Sequence, residues 1–522
     1  MKKILIIILL GLLIYSYSLF NGFVWDDEEQ VVNNQVVHSI SNLPQFFQGS
    51  TFNSGGTNSL AGLYYKPMMT IGFSLVYSIF GPQPFFFHLL SLSLHIGSSI
   101  LIYLIFLQFF SNPIAFFTSL IFLVHPINVE TVAYISSLQD AMFLFFGLIS
   151  FYYLIKDKSS FLVGLFLLLA LLSKETAIGF FFVIIMYLFL FKKEKKTLPY
   201  LLFSLFTYLF LRLAVAGIFF QKHGLSPISR MVFWERLISI PKIIFYYLKN
   251  FFYPVNLGIS QHWAVRTLDF QNFWGPLFTV LIFFLILIFM SFPRTCLRKQ
   301  GRESSFNLLY IFFLFWFVIG LGMHLQLVSL DMTVADRWFY FPMIGLLGMI
   351  GSLFDKSKIQ MTKSKYIIII LVIITLSLRS FVRTLDWKNG LTLFSKDIKI
   401  VSGSFDLENN LGVELFRAGD YKNAKIHFKN STKIAPFWWT NWNNLGAIYE
   451  REKNYQTAAE YYQKAIDNGQ YYLAYENLAK ILVLHGKDQE KTEEFLQTAL
   501  RLLPENENLL LINTYFQEKN KK

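Results

Sequence analysis

The sequence predicts an all-α protein: a polytopic bundle of membrane helices followed by an α-solenoid of helical repeats. Three observations predict it. Hydrophobic residues make up 54% of the 522, charged residues only 15%, and the mean hydropathy is +0.45, too apolar for a soluble chain. Apolar runs alternate with short basic clusters as far as residue 380. Beyond Phe381 the composition turns polar, and one helical pattern returns at a 34-residue spacing.

The net charge of +13 does not make nucleic acid an expected partner, because much of the basic charge sits in clusters between apolar runs, where membrane topology places it. A single cysteine, Cys296, rules out an intrachain disulfide. At the N-terminus, Met1-Lys2-Lys3 precedes an apolar run from Ile4 to Phe20. Ser16-Tyr17-Ser18 would serve a signal peptidase, but the run has about the length of a short spanning helix, and an uncleaved first helix is the expectation.

The expected spans are 4–20, 86–109, 113–125, 139–155, 161–173, 177–191, 198–219, 274–292, 306–323, 338–354 and 366–380, about eleven in all. Lys2/Lys3, Lys156/Lys158, Lys192/Lys193/Lys195/Lys196, Arg294/Arg298/Lys299/Arg302 and Lys356/Lys358/Lys363/Lys365 fall in loops on one side, the cytoplasmic one. On the other side, loop 124–138 has no Lys or Arg, and loop 21–85 has only Lys66. The N-terminus is therefore expected inside and the C-terminus outside, with a long first extracytoplasmic loop, 21–85. Residues 68–80 are apolar but short, and a span there would reverse every later loop; they read as a helix at the interface or packed into the protein. Residues 236–258, basic and aromatic, read as an interfacial amphipathic helix.

In the polar C-terminal part, Leu411-Gly412 returns as Leu445-Gly446, Ala424 as Ala458 and Phe428 as Tyr462, each 34 residues on. This pattern resembles the tetratricopeptide repeat (TPR), with Trp442 and Pro436 at its Trp and closing Pro positions. Leu478-Ala479, Phe495, Ala499 and Pro504 mark a weaker third copy. Small Gly and Ala let paired helices approach, and the aromatics fill the seams. The expected division is a membrane domain over 1–380, a connector over 381–404, about three repeats over 405–504 and a polar tail over 505–522.

Four outward sites concentrate ionisable residues against the membrane: Asp26-Asp27; His125, Glu130 and Asp140 in "HPINVETVAYISSLQD"; Lys174-Glu175 in "LLSKETAIG"; and Asp331, Asp336 and Arg337 in "LVSLDMTVADRWFYFP". Charges so close to apolar segments are costly unless they pair or line a wet cavity. All four lie on one expected side, which a shared cavity explains and scattered ion pairs do not demand. A sugar on a lipid phosphate presents its headgroup at this depth. A carboxylate can take the proton from an attacking hydroxyl, and Arg and Lys can neutralise the departing phosphate. The bland alternatives are a solvated boundary for Asp26-Asp27, a plain turn for His125, a boundary ion pair for Lys174-Glu175 and an interfacial anchor for Arg337-Trp338. Glu28 and Glu29 read as solvated charge, and His88 and His95 as packing or polar contacts. No Walker loop, zinc spacing or dinucleotide turn is present in the sequence. No cofactor is required, and a divalent cation on the acidic cluster stays open.

In chain order, "NGFVWDDEEQVVNNQVV", "YYKPM", "HPINVETVAYISSLQD", "LLSKETAI", "VADRWFYFP" and "DWKNGLTLF", with repeats behind them, resemble the transmembrane-and-TPR protein O-mannosyltransferases. The resemblance implies a GT-C glycosyltransferase fold and transfer of a sugar, mannose above all, from a polyprenyl-phosphate donor to a hydroxyl of a protein or glycan acceptor recruited by the repeats. It implies Asp26 as catalytic base and Asp27 as the neighbour that positions the acceptor or tunes it. Glu130, Asp140, Lys174, Glu175 and Asp336 match acidic and Ser-Lys-Glu positions, with Arg337 at the donor phosphate. This chain has Asp336 where the family pattern has Glu, Ser-Leu-Gln before Asp140 in place of Gly-Arg-Ala, and only about three repeats. The rival classes are a lipid-linked oligosaccharide ligase, whose long outward loop comes late with His and Arg; a transporter, which would show inverted repeats; and a membrane-anchored scaffold, for which one span suffices. A bacterial cytoplasmic membrane is the expected location.

Overall fold

The computed structural model describes residues 1–51, 64–219, 226–291, 300–356, 362–469 and 471–520, with only the backbone for 291, 300–307 and 356. Arg294, Cys296, Arg298, Lys299 and Lys358 lie outside the described residues. The described residues are helical apart from connecting turns and one isolated antiparallel bridge between Gln261 and Val334. They divide into two units, one of Met1–Thr51 with Tyr64–Leu393 and one running on from Phe394.

The first unit contains α1 (Lys2–Tyr15), α2 (Pro67–Phe80), α3 (Pro84–Phe106), α4 (Asn112–Val124), α5 (Val129–Ala133), α6 (Leu138–Ile155), α7 (Ser160–Ser173), α8 (Ile178–Leu190), α9 (Leu198–Phe210), α10 (Phe233–Phe252), α11 (Gly275–Ser291), α12 (Gln300–Gly322), α13 (Pro342–Lys356) and α14 (Lys363–Asp386). Every one of the eleven expected apolar runs falls on a helix. Among the described residues six helical stretches are long and apolar enough to cross a membrane, Lys2–Phe20, Pro84–Phe106 and Lys363–Asp386 among them. A seventh is available if Asn112–Val124 and Pro126–Ala133, bent by 51° where Pro126 follows His125, form one broken span. Ser160–Ser173 and Pro342–Asp355 are apolar but shorter. Fourteen residues of helix, as in Ser160–Ser173, reach about 21 Å against a hydrocarbon core of about 30 Å.

Close helix contact depends on glycine at one seam. A Cβ on Gly345 or Gly348 of α13 would collide with the backbone at Phe317 or the ring of Phe313 on α12. Residues 68–80 form most of α2, which packs one face into the protein and leaves Leu75, Ile79 and Phe80 exposed. Met69, Phe73 and Val76 join Val31, Val37, Phe87, Leu138 and Met142 in one apolar cluster, so this helix braces the first loop. Helix α10 buries Ile243, Ile244, Tyr247, Leu248 and Phe251 and leaves Phe233, Trp234 and Phe252 exposed.

The second unit stacks α16 (Phe405–Arg417), α17 (Tyr421–Ile434), α18 (Trp439–Arg451), α19 (Tyr455–Asn468), α20 (Tyr472–His485), α21 (Gln489–Leu502) and α22 (Glu507–Asn520), after α15 (Gly390–Asp397) carries the chain across the boundary. Asp420, Asn454 and Asp488 each accept a hydrogen bond from the backbone N–H three residues on, capping α17, α19 and α21. The ring of Phe428 lies on Gly412 and that of Tyr462 on Gly446, within 2.6 and 2.7 Å of where a Cβ would stand. The repeated Leu-Gly and aromatic positions are thus one packing device used twice. The polar segment after Pro504 is itself a helix, α22, held by Leu509 and Phe516, which lie seven apart on one buried face.

Candidate active site

The first loop leaves α1 and turns at Trp25, which takes the left-handed conformation (φ 57°), an unfavourable choice for a bulky residue. Stacking offsets it: the Trp25 ring lies on Tyr134 at 5.3 Å, and Tyr134 is backed by Trp387 at 5.5 Å. Trp387 belongs to the "DWKNG" segment, which also holds the loop through Gly22 N–H to Lys388 O at 3.1 Å and Asn21 Nδ2 to Thr384 O at 3.3 Å. The first, third and sixth sequence motifs therefore meet here.

The turn separates the two aspartates. Asp27 is fully buried and accepts from Val24 N–H at 3.0 Å, Ser136 N–H at 2.7 Å and Ser136 Oγ at 2.6 Å. Burial pushes its carboxyl up to about 7, and the charge of Asp26 adds to the rise, against the lowering by Ser136 and Val24. Asp26 is only partly buried and accepts from the Tyr134 hydroxyl at 2.8 Å. The pair thus divides into an anchor, Asp27, and a more accessible carboxylate, Asp26. Glu28 is partly buried and Glu29 exposed.

Four more of the predicted residues form one buried network. Arg337 pairs with Glu130 through its guanidinium and donates its backbone N–H to the same carboxylate at 3.1 Å. Its Nε lies 3.8 Å from Asp140, which accepts from Lys174 Nζ at 2.5 Å. Side-chain exposures of 3, 9, 1 and 11% for Glu130, Arg337, Asp140 and Lys174 exclude bulk water. Two carboxylates and two cations balance. Burial alone would pull the Arg337 guanidinium down, but Glu130 and Asp140 reverse this and hold it charged. Its face is turned to the Tyr134 ring, 5.8 Å away, which links the network to the Asp26 partner.

Around these lie further groups. Asp336 accepts from Tyr246 at 2.6 Å, with Asn250 at 3.5 Å, so α10 supports the Asp-Arg pair. Glu175 pairs with Arg212, whose guanidinium also donates to the Tyr208 hydroxyl at 2.9 Å. Tyr64 donates to Asp331 at 2.6 Å. Burial raises the Tyr64 hydroxyl well above the phenol range, and Asp331, Asp26 and Glu175 add to the rise, so these carboxylates face one region. His125 stands apart: Nε2 bonds Phe251 O at 2.9 Å and Nδ1 accepts from Ile127 N–H at 3.2 Å, which makes it a cap at the bend after α4. His95 bridges Tyr340 and Leu123 O at 2.7 and 2.9 Å, a polar packing contact.

Sequence reasoning did not name Tyr134, Ser136, Tyr246, Arg212 or Lys66 as site residues. An arginine inside the apolar run 198–219 was the available signal for Arg212. Tyr134 and Ser136 lie inside a quoted motif but are neutral. Among the described residues no group of three or more His, Cys, Asp or Glu is placed to hold a metal ion.

Fold and site together define an all-helical protein of membrane type, with a buried charge network linked to its first loop through Tyr134 and a helical-repeat unit at its C-terminal end. A tetratricopeptide repeat family model matches residues 439–468. The homologues of the chain are transmembrane-and-TPR protein O-mannosyl-transferases, the family its motifs resemble. It is 25% identical over 436 residues to Protein O-mannosyl-transferase F38B6.6 of Caenorhabditis elegans, covering 79% of this chain and 59% of that one. It is 23% identical over 464 residues to human Protein O-mannosyl-transferase TMTC3, covering 79% and 49%. To human Protein O-mannosyl-transferase TMTC1 it is 31% identical over 194 residues, covering 34% and 22%. The chain spans about half the length of the curated relatives it matches over most of its own length. The APC/C hetero-tetramer Cut9-Hcn1 covers 86% of this chain and 89% of its own at 13% identity, with a TM-score of 0.26, too low to carry an argument.

Proposed function

We propose that the protein is a membrane O-mannosyltransferase that moves a mannosyl group from a polyprenyl-phosphate donor to a hydroxyl of a protein acceptor, on the extracytoplasmic face. The observation that carries the reading is the division of the aspartate pair. Asp27 spends its carboxylate on three donors from two segments, which holds Asp26, the less buried partner, at the Tyr134 hydroxyl. A base so placed takes the proton of the acceptor hydroxyl as its oxygen bonds the anomeric carbon. The bond from that carbon to the phosphate oxygen breaks, its electron pair leaves with the polyprenyl phosphate, and attack from the opposite side inverts the centre. Names of the homologues support mannose and a protein hydroxyl. The apolar helices of spanning length, six among the described residues, support a lipid-embedded donor, and the repeats support capture of a protein. The basic clusters between the apolar runs support an inside N-terminus and an outside repeat unit.

In this reading Glu130, Arg337, Asp140 and Lys174 form the neutral, rigid wall of the site, and Glu175–Arg212 extends it. Purified protein in proteoliposomes, given polyprenyl-phosphate mannose and acceptor peptides rich in Ser and Thr, is expected to form α-linked mannosyl peptide from a β-linked donor. Failure to transfer to any peptide, with hydrolysis of the donor absent as well, would remove the reading.

A further inference from the structure

Among the described residues of this region, Lys66 is a buried cation with no carboxylate at ion-pair distance. Its residue exposure is 8%, and it stands in the "YYKPM" motif directly before Pro67 at the start of α2. Arg337 and Lys174 are matched by Glu130 and Asp140, and Arg212 by Glu175. Among the described residues the ammonium of Lys66 has no ion pair and no side-chain hydrogen bond, only the face of Tyr64, 4.1 Å from the ring centroid. Tyr64 in turn commits its hydroxyl to Asp331 at 2.6 Å. Leaving a cation unpaired in a buried place costs several kcal/mol unless something compensates, so such a group signals an absent anion.

We infer that Lys66 is the receptor for the phosphate of the lipid-linked donor, a positively charged seat against the Tyr64 ring. The inference rests on the transferase reading and adds the residue that meets its leaving group. Burial, and after it Lys174, bring its ammonium down to about 8, against the opposite pull of Asp331, Glu175 and Asp140. A phosphate in contact holds the ammonium charged, and that charge neutralises the second negative charge that builds on the phosphate as the leaving oxygen takes the electron pair of the anomeric bond. Arg337 is less suited, because a phosphate there competes with Glu130 and Asp140 for the same guanidinium.

The test is binding of undecaprenyl phosphate, without sugar, to full-length protein in zwitterionic nanodiscs, for wild type, Lys66→Met and Lys66→Arg. Undecaprenol serves as the phosphate-free control and phosphatidylglycerol as the bulk-lipid phosphate. Wild type is expected to bind undecaprenyl phosphate and not undecaprenol. Lys66→Met should weaken that binding roughly ten- to hundred-fold, and Lys66→Arg should recover most of it. Thermal unfolding of each variant near that of wild type shows that the fold is intact. Should Lys66→Met fail to fold, binding by the charge-conserving Lys66→Arg, and its loss in Lys66→Gln, decide the matter. Equal binding by wild type and a folded Lys66→Met, while wild type still transfers mannose, overturns the role of Lys66 and leaves the transferase reading in place. Equal weakening toward phosphatidylglycerol overturns the donor assignment in favour of a bulk-lipid site. No binding and no transfer by wild type overturns both.

Discussion

Replacing Lys174 by Met probes the buried network where its charge balance is tightest. Lys174 Nζ is 2.5 Å from Asp140, at side-chain exposures of 11 and 1%, and among the described residues the other cation within ion-pair distance of that carboxylate is Arg337, 3.8 Å away and already paired with Glu130. Removing the ammonium leaves two buried carboxylates against one guanidinium. Breaking a buried pair on one side costs about 3–5 kcal/mol, chiefly the burden of the abandoned charge. Asp140→Leu should cost a similar amount for the opposite reason. Lys174→Met with Asp140→Leu keeps Glu130 and Arg337 as a neutral pair, so the double variant should be less destabilised than the sum of the singles by about 2–3 kcal/mol. Thermal or denaturant unfolding in detergent, followed by tryptophan fluorescence, measures all four corners. Additivity within about 0.5 kcal/mol would show that the two side chains do not share an energetic contact and would refute the network.

Three further outcomes follow from the same geometry. The Asp27 carboxyl, ordinarily near 3.8, stands at about 7 when folded, so the folded state binds the extra proton; stability is full below about pH 4 and is lost as pH rises towards 7, by about 4 kcal/mol. The slope of wild-type stability minus that of Asp27→Asn across this window measures it, and equal slopes would dismiss it. Tyr134→Phe removes the 2.8 Å bond to Asp26 and keeps the stacked ring, so transfer should fall about ten-fold with the unfolding temperature little changed. Gly446→Leu drives a side chain into Tyr462 and should destabilise the repeat unit by about 1–3 kcal/mol or more, read as faster limited proteolysis beyond Phe394 while the membrane unit stays protected.

Hydropathy alone located the helices. Each of the eleven apolar runs falls on a helix, because a helix satisfies every backbone group within its own segment. It does not give the number that cross, since Ser160–Ser173 is apolar yet short for the bilayer. The repeats were legible because Gly412 and Gly446 sit under Phe428 and Tyr462, a packing need that recurs with the period. Among site residues the charged ones were legible, since charge beside an apolar run is rare and demands a reason. Their pairing was not: Glu130 and Arg337 are 207 residues apart, and only the fold brings them together. Neutral partners such as Ser136 and Tyr246 carry no such mark, and only the family resemblance gave Asp26 and Asp27 different roles; that Asp27 is the buried one and Asp26 the accessible one is a property of the structure. Lys66 was visible as the lone basic residue of its loop, but its lack of a partner is a property of the structure.

The central claim is that Asp26 takes the acceptor proton. The most direct measurement is single-turnover transfer of mannose from polyprenyl-phosphate mannose by wild type and by Asp26→Asn at saturating donor and acceptor, with unfolding temperatures compared. The account predicts a loss of about 10²–10⁴-fold in the chemical step with the fold and donor binding retained. Transfer by a folded Asp26→Asn at the wild-type rate would contradict it.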